Sequence, residues 1–285
     1  MFKQKHCSPI SEKKSSCLSK KLLKKIAKII NKLPECSNID CNCDTDTLYK
    51  KICCEIKKIS DCDDEKCWGT INEIMNNLSK HEVEEFKSSF KPEMPESWKK
   101  EPNKWLNTLD INAVMEQYED AFPKFKYFGA TPIDFNKKKN GSCSVSDLCK
   151  INLKQLKDRD YEIIGMVFNT DDSSGSGQHW FSMTVDLVGK NSKKPSIYFF
   201  DSVANDAPQE IIELVKKLKK QGEKMNIPLD VLYSDVQHQY GDTECGIYCL
   251  HFITEMLKGK NFKRYINRKI SDKEMEKFRK VFFNE

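Results

Sequence analysis

Residues 239–248 read Gln-Tyr-Gly-Asp-Thr-Glu-Cys-Gly-Ile-Tyr and set Cys245 on a Gly/Asp turn where an apolar helical pattern begins. Ile247, Leu250, Ile253, Met256 and Leu257 follow at helical spacing. A thiol at a helix N-terminus lies near N–H groups that have no intrahelical partner and at the positive end of the helix dipole. Both favour the thiolate, which is the nucleophilic form. Asp242 or Thr243 is expected to cap this helix, and Gly246 lets the backbone turn closely behind the sulfur. Gln239, six residues upstream, can return an amide donor to the same place, as an oxyanion hole requires.

A cysteine nucleophile needs a base and a group that orients the base. His179, in Gln-His-Trp, opens an alternating segment that predicts a strand over 180–187, and Asp201 closes a second expected strand, 196–200. Each residue alone has a plainer reading. A lone histidine is usually structural, and a lone cysteine in an apolar helix is usually a small hydrophobe. His179, Asp201, Gln239 and Cys245 together, each at the edge of an element, point to nucleophilic catalysis. His238 competes as base, but no strand start presents it. Cys249, one turn beyond Cys245, is expected to be packed.

The run His-Trp, then Asp-Ser, then Gln-x5-Cys-Gly resembles the Ulp1/adenain class of cysteine proteases, which have a papain-type core. Within that class the chain looks like the SUMO-1-type polyprotein-processing proteases of large DNA viruses. The shared stretches are Ser16–Leu22 (SCLSKKL), Asn169–Trp180, His238–Gly246 and Ile270–Arg279. The likeness covers most of the chain and is patchy over 36–98. It implies His179 as base, Asp201 as its orienter, Cys245 as nucleophile and Gln239 as oxyanion donor, with no cofactor and no metal. The chain departs from the viral group at two places. Asp201 stands where that group has Asn, and Asp242 stands where it has a second Gln three residues before the cysteine. The class also implies a narrow groove that accepts Gly-Gly-x sites, with Trp180 beside Gln239 in its wall. Virion core polyproteins would be the substrates, and the host cytoplasm (the virus factory) and the virion the places of action. Deconjugation of SUMO or another ubiquitin-like protein is the alternative within the class. A non-catalytic virion scaffold is the alternative outside it.

The elements that must position these residues follow from periodicity. Ser16 is expected to cap a helix over 18–33 with a lysine-covered outer face; such a face is usually solvated, though it can touch nucleic acid or a membrane surface. Short helices are expected over 48–59, 64–78 and 79–90, with Ser79 and Glu82 forming a capping box. Prolines in 91–97 mark a boundary, giving a helical Cys/Lys-rich N-terminal docking domain, 1–98, and a catalytic core, 99–285. In the core, Trp105 is a groove-wall or packed residue, and helix 111–121 precedes strand 125–129. A helix is expected over 146–156, and the wholly apolar strand 162–168 suits burial on both faces. Residues 169–177 lack the Gly-Lys-Ser/Thr of a phosphate-binding loop and read as a flexible rim delivering His179. Helix 208–220, strand 230–233, helix 243–257, a linker 264–270 and a last helix capped by Ser271 complete an α+β order around one mixed sheet.

Composition narrows the partners. The net charge of +5, from 48 basic and 43 acidic side chains, is too small to indicate a dedicated nucleic-acid binder. No apolar run approaches the ~20 residues of a membrane span, and the first residues lead into no apolar segment of a signal peptide. Of 13 cysteines, nine precede Trp68. Their spacing lacks paired C-x2-C knuckles, so reduced thiols are expected in place of a zinc module, with disulfides formed after particle release as the alternative.

Overall fold

Leu22, Leu23, Ile26, Ala27, Ile29 and Ile30 are all buried along α1 (Lys20–Ile30), as helical periodicity demands. The structure is a computed structural model that describes residues 6–9, 15–139 and 141–284. Its N-cap is Ser19, whose hydroxyl accepts from Leu22 N, and not Ser16. Ser16 turns its hydroxyl to the buried Glu65 carboxylate, so a tertiary acceptor overrides the local capping signal. α2 (Thr45–Ile59), α3 (Asn72–Met75) and α4 (Lys80–Ser88) share one core with α1 through Leu48, Ile52, Ile56, Ile74 and Phe86. Both arms of the Ser79/Glu82 capping box are present. The helix expected over 64–78 is a 3-10 turn, Lys66–Thr70, followed by the single turn α3.

The chain divides into two units: Met1–Glu93 with Phe282–Glu285, and Met94–Val281. The prolines of 91–97 place the expected boundary at 98/99. Trp98 belongs with the second unit because its indole N–H donates to Lys104 O at 2.9 Å. The last residues belong with the first unit because Asn284 pairs with Pro92 O (2.8 Å) and Lys91 O (2.9 Å). Disulfides Cys7–Cys17 and Cys62–Cys67 replace the reduced state expected of those N-terminal cysteines, and Cys143–Cys149 is a third. Their Cα separations of 5.1, 5.5 and 6.2 Å lie in the bridging range. The other seven cysteines are free, and no group of residues able to hold a metal ion occurs among the described residues.

The second unit begins with α5 (Thr108–Ala121), capped reciprocally by Asn107 and Asp110. β1 (Phe125–Pro132), the two-residue strands β2 (Lys138–Lys139) and β3 (Ser142–Cys143), α6 (Ser146–Cys149) and α7 (Leu153–Asp158) follow. The helix expected over 146–156 is thus two short ones. Next come β4 (Ile163–Asn169), β5 (Trp180–Asp186), β6 (Ser196–Phe200), α8 (Gln209–Lys224), β7 (Asp230–Tyr233) and α9 (Cys245–Leu257). The expected linker 264–270 is largely α10 (Phe262–Asn267), ahead of α11 (Asp272–Phe282). Phe262, Tyr265 and Ile266 drive that helix by burial.

Five strands form one mixed sheet in the order β1-β4-β5-β6-β7. The β4–β5 and β5–β6 pairs are antiparallel and the two outer pairs parallel. β4, β5 and β6 are buried along their whole length because both faces are covered. Ile164, Met166, Phe168, Phe181, Met183 and Phe199 face the apolar stripes of α7 and α8. The opposite face meets α9, with Phe200 stacked on Phe252 at 4.8 Å. Gly165 admits the close approach there: a Cβ would stand 2.8 Å from the Phe125 ring and 3.4 Å from Ile253. The sheet and α9 together fix where His179, Asp201 and Cys245 emerge.

Candidate active site

Cys245 is the first residue of α9 and is 1% exposed. No side chain caps this helix, so the expected cap by Asp242 or Thr243 is not formed. Asp242 is exposed, and the Thr243 hydroxyl instead donates to the carboxylate of Glu244, the actual N-cap residue, at 2.9 Å. The first N–H groups of a helix have no intrahelical acceptor, so the backbone at Cys245 keeps donor capacity for an incoming anion. Gly246 fits against Leu106: a Cβ there would meet Leu106 Cβ at 3.1 Å. Gly246→Val is therefore expected to cost about 1–3 kcal/mol by overpacking, read as a lowered denaturation midpoint together with lost activity. An unchanged midpoint would show that Leu106 gives way freely.

His179 stands just ahead of β5, with its carbonyl accepting from Thr170 N at 2.9 Å. Its Nε2 lies 2.8 Å from Asp201 Oδ1. Cys245 also acts on the ring electrostatically, so the sulfur is near the imidazole, and with Nε2 engaged by Asp201 the nitrogen left over is Nδ1. Burial works against the imidazolium, but the hydrogen bonds and charges of Asp201 and Cys245 outweigh it and hold the His179 pKa up at about 10. Asp201, at the end of β6, is 2% exposed. Its N–H donates to Ser234 Oγ at 3.0 Å, and its Oδ1 also accepts from Val203 N at 2.9 Å. The carboxylate is thus oriented before it orients the ring.

The stretch 169–177, expected to be flexible, is tied down by side chains. Asn169 Oδ1 accepts from Asp171 N (2.9 Å) and Gln178 N (3.2 Å). Asp171 accepts from Gly177 N (2.9 Å) and the Gln178 amide (2.8 Å). Gly177 adopts φ +87°, which a side chain would strain. Composition marked a loop here; the bonds of Asn169 and Asp171 appear only once the turn is folded.

Gln239 is 1% exposed; its Oε1 accepts from Ser202 Oγ at 2.7 Å, and its Nε2 donates to Gly241 O at 2.8 Å. Ser202 therefore fixes which way the amide faces and leaves one of its hydrogens uncommitted by these bonds. His238 is buried among Phe200, Tyr248 and Tyr265, accepts from Ile270 N at Nδ1, and has its pKa lowered by burial. That is a structural histidine. Cys249 is buried, and burial pushes its thiol well up. Trp180 is 6% exposed, and its indole N–H donates to Leu106 O at 2.9 Å. It lines a cleft of about 380 Å³ with Trp105, Asn107, Pro132 and the 171–177 loop. Sequence reading passed over Glu244 and its partner Arg279, 2.8 Å apart and both buried. The only local signal was a charged residue directly before the cysteine.

An imidazole held by a buried carboxylate, near a thiol at a helix N-terminus, has the make-up of a cysteine-nucleophile acyl-transfer enzyme on an α+β scaffold. The chain belongs to the family described as YopJ serine/threonine acetyltransferase, whose pattern matches residues 113–283. It is 33% identical over 181 residues to a protein of Acanthamoeba polyphaga mimivirus assigned by name to the thiol proteases. That match covers 63% of this chain and 56% of the mimivirus protein, so the chain spans little more than half the length of that relative. A SUMO-1 cysteine protease of African swine fever virus (isolate Pig/Kenya/KEN-50/1950) is 26% identical over 289 residues, covering 97% of this chain and 94% of that one. The crystal structure of the African swine fever virus protease matches with a TM-score of 0.72 at 22% identity, over 98% of this chain and 95% of that chain. The two share a fold. Both relatives are named as viral cysteine or thiol proteases, the class that the motifs of this chain resemble.

Proposed function

We propose that the chain is an endopeptidase that cuts viral core polyprotein precursors after Gly-Gly, in the host cytoplasm and the virion. The observation that carries this reading is the 2.8 Å bond of His179 to the buried Asp201, with Cys245 near enough to raise the proton affinity of the same ring. The Cys245 thiolate attacks the scissile carbonyl carbon, whose π electrons move to oxygen. The Cys245 N–H and the Gln239 amide hold that oxyanion. His179, as imidazolium, gives its proton to the departing amine as the C–N bond breaks. Water then attacks the thioester, His179 takes its proton, and the acid leaves with the thiolate restored. Cys245 is only 1% exposed, and Trp180, the residue after His179, is 6% exposed; so closed a site admits substrate backbone more readily than side chains. That supports glycine at the two residues before the cut.

The test is N-terminal sequencing of fragments made from a Gly-Gly-x peptide, an Ala-Ala-x control and a SUMO conjugate. Cleavage after Gly-Gly in the free peptide is expected. Cleavage of the conjugate alone would replace the polyprotein reading with deconjugation, and cleavage of neither would support a scaffold. The family match favours a second reading, in which a serine or threonine hydroxyl accepts the acyl group from Cys245 in place of water. Incubating the protein with an acetyl thioester and a hydroxyl-bearing peptide separates the two: a gain of one acetyl group on the peptide selects transfer.

The raised His179 pKa gives a pH expectation. Its folded value of about 10 exceeds the ordinary 6.5, so the stability it contributes is full below pH 6.5 and is lost as pH rises through 10. Peptide hydrolysis is expected to fall near pH 10, where the proton donor is lost, while alkylation of Cys245 continues. Hydrolysis that falls near pH 7 would contradict the stabilised imidazolium.

A further inference from the structure

Arg279, on α11, reaches the turn that precedes the sulfur. It is 6% exposed, and its Nε and Nη2 meet the two carboxylate oxygens of Glu244 at 3.0 and 2.8 Å. Nη1 donates to Lys104 O at 2.9 Å, and Nη2 also donates to Asn103 O at 3.1 Å and Thr243 O at 3.2 Å. The guanidinium lies 4.4 Å over the Trp98 ring, whose indole N–H shares the same Lys104 carbonyl. One planar fork therefore fastens two stretches of backbone: the residue before the sulfur, and the strap 103–106 on which Gly246 and Trp180 rest.

We propose that Arg279 is a positioning residue for the reaction, acting through Glu244 to cancel the buried charge beside Cys245 and to hold the strap against Gly246. The proposal deepens the protease reading and rests on Cys245 as nucleophile. Glu244 is 2% exposed and adjoins the cysteine. An uncompensated carboxylate there opposes thiolate formation, whereas an uncompensated guanidinium assists it. Titratable groups near the pair and the sulfur include His179 and Asp201 from the sheet, Cys249 and Tyr248 from α9, and Asp272 and Glu274 from α11. None of these changes in the variants below, so a shift reports the pair.

The experiment measures the pH dependence of Cys245 alkylation by iodoacetamide in the full chain, with peptide mapping, alongside kcat and KM for a Gly-Gly-x peptide. Glu244→Gln is expected to move the midpoint of thiolate formation to lower pH and Arg279→Met to higher pH, each by about one unit. The double variant E244Q/R279M is expected to return close to the wild-type midpoint. Arg279→Lys keeps the charge and loses the fork, so its midpoint should stay while kcat falls with KM little changed. Should Arg279→Met not fold, Glu244→Gln and Arg279→Lys carry the test. Shifts of the same sign, or no shift in folded Glu244→Gln, would overturn the proposal. Cys245→Ala that still hydrolyses peptide would overturn the protease reading itself. An inactive Cys245→Ala with an unmoved Glu244→Gln midpoint overturns only the role of Arg279.

Discussion

Replacing Cys245 by alanine is expected to lower kcat on a Gly-Gly-x peptide by about 10⁴-fold or more, because the whole reaction passes through a bond to that sulfur. Binding groups and backbone donors remain, so a small residual rate over water is expected. His179→Ala should cost nearly as much, and the double variant little more than either alone, since the two side chains act as one unit. Circular dichroism and a melting curve guard the conclusion. Cys245 is buried, but removing one sulfur atom leaves only a small void, so the fold should persist. A variant that keeps a tenth of the wild-type rate would mean that the nucleophile lies elsewhere.

Asp201 carries the second large expectation, and it separates orientation from charge. In Asp201→Ala the imidazole N–H that now meets Oδ1 at 2.8 Å would be left buried without an acceptor. The imidazolium loses one of its supports, so its proton comes off at lower pH while the thiolate becomes harder to form. We expect kcat/KM to fall about 10²–10³-fold and the pH optimum to narrow from both sides. Asp201→Asn keeps an oxygen that can accept from the ring, and an imidazolium donates from both nitrogens whatever its acceptor is. That variant should remain within about tenfold of wild type. Equal damage in the two variants would show that the charge, and not the acceptor geometry, is what His179 uses.

What could be read in advance was whatever local spacing controls. The strands 196–200 and 230–233 coincide with β6 and β7, and Ser79/Glu82 forms both arms of its capping box. The sequence also set His179 and Asp201 at strand edges and Cys245 at a helix start, and the sheet and α9 bring these three side chains together. Tertiary partners decided the rest. Ser16 satisfies Glu65 and so leaves the helix cap to Ser19. Thr243 turns to Glu244, and Glu244 turns to Arg279, some 35 residues away in sequence, so no side chain caps α9. Residues 262–267 lack strong periodicity and become helical through burial of Phe262 and Tyr265. Gly, Ser and Asp dominate residues 169–177, a composition that by itself predicts a loose loop. The same Asp171 that gave that impression is what ties it.

The most direct measurement is mass spectrometry of the protein after treatment with a thiol-reactive Gly-Gly aldehyde or vinyl sulfone peptide. Cys245 is buried, whereas Cys54 is a free, exposed thiol, so simple accessibility would favour Cys54. The account predicts one equivalent of label on Cys245, lost in Cys245→Ala and strongly slowed in His179→Ala. Label on Cys54 or the other free cysteines, with Cys245 unmodified, would contradict it.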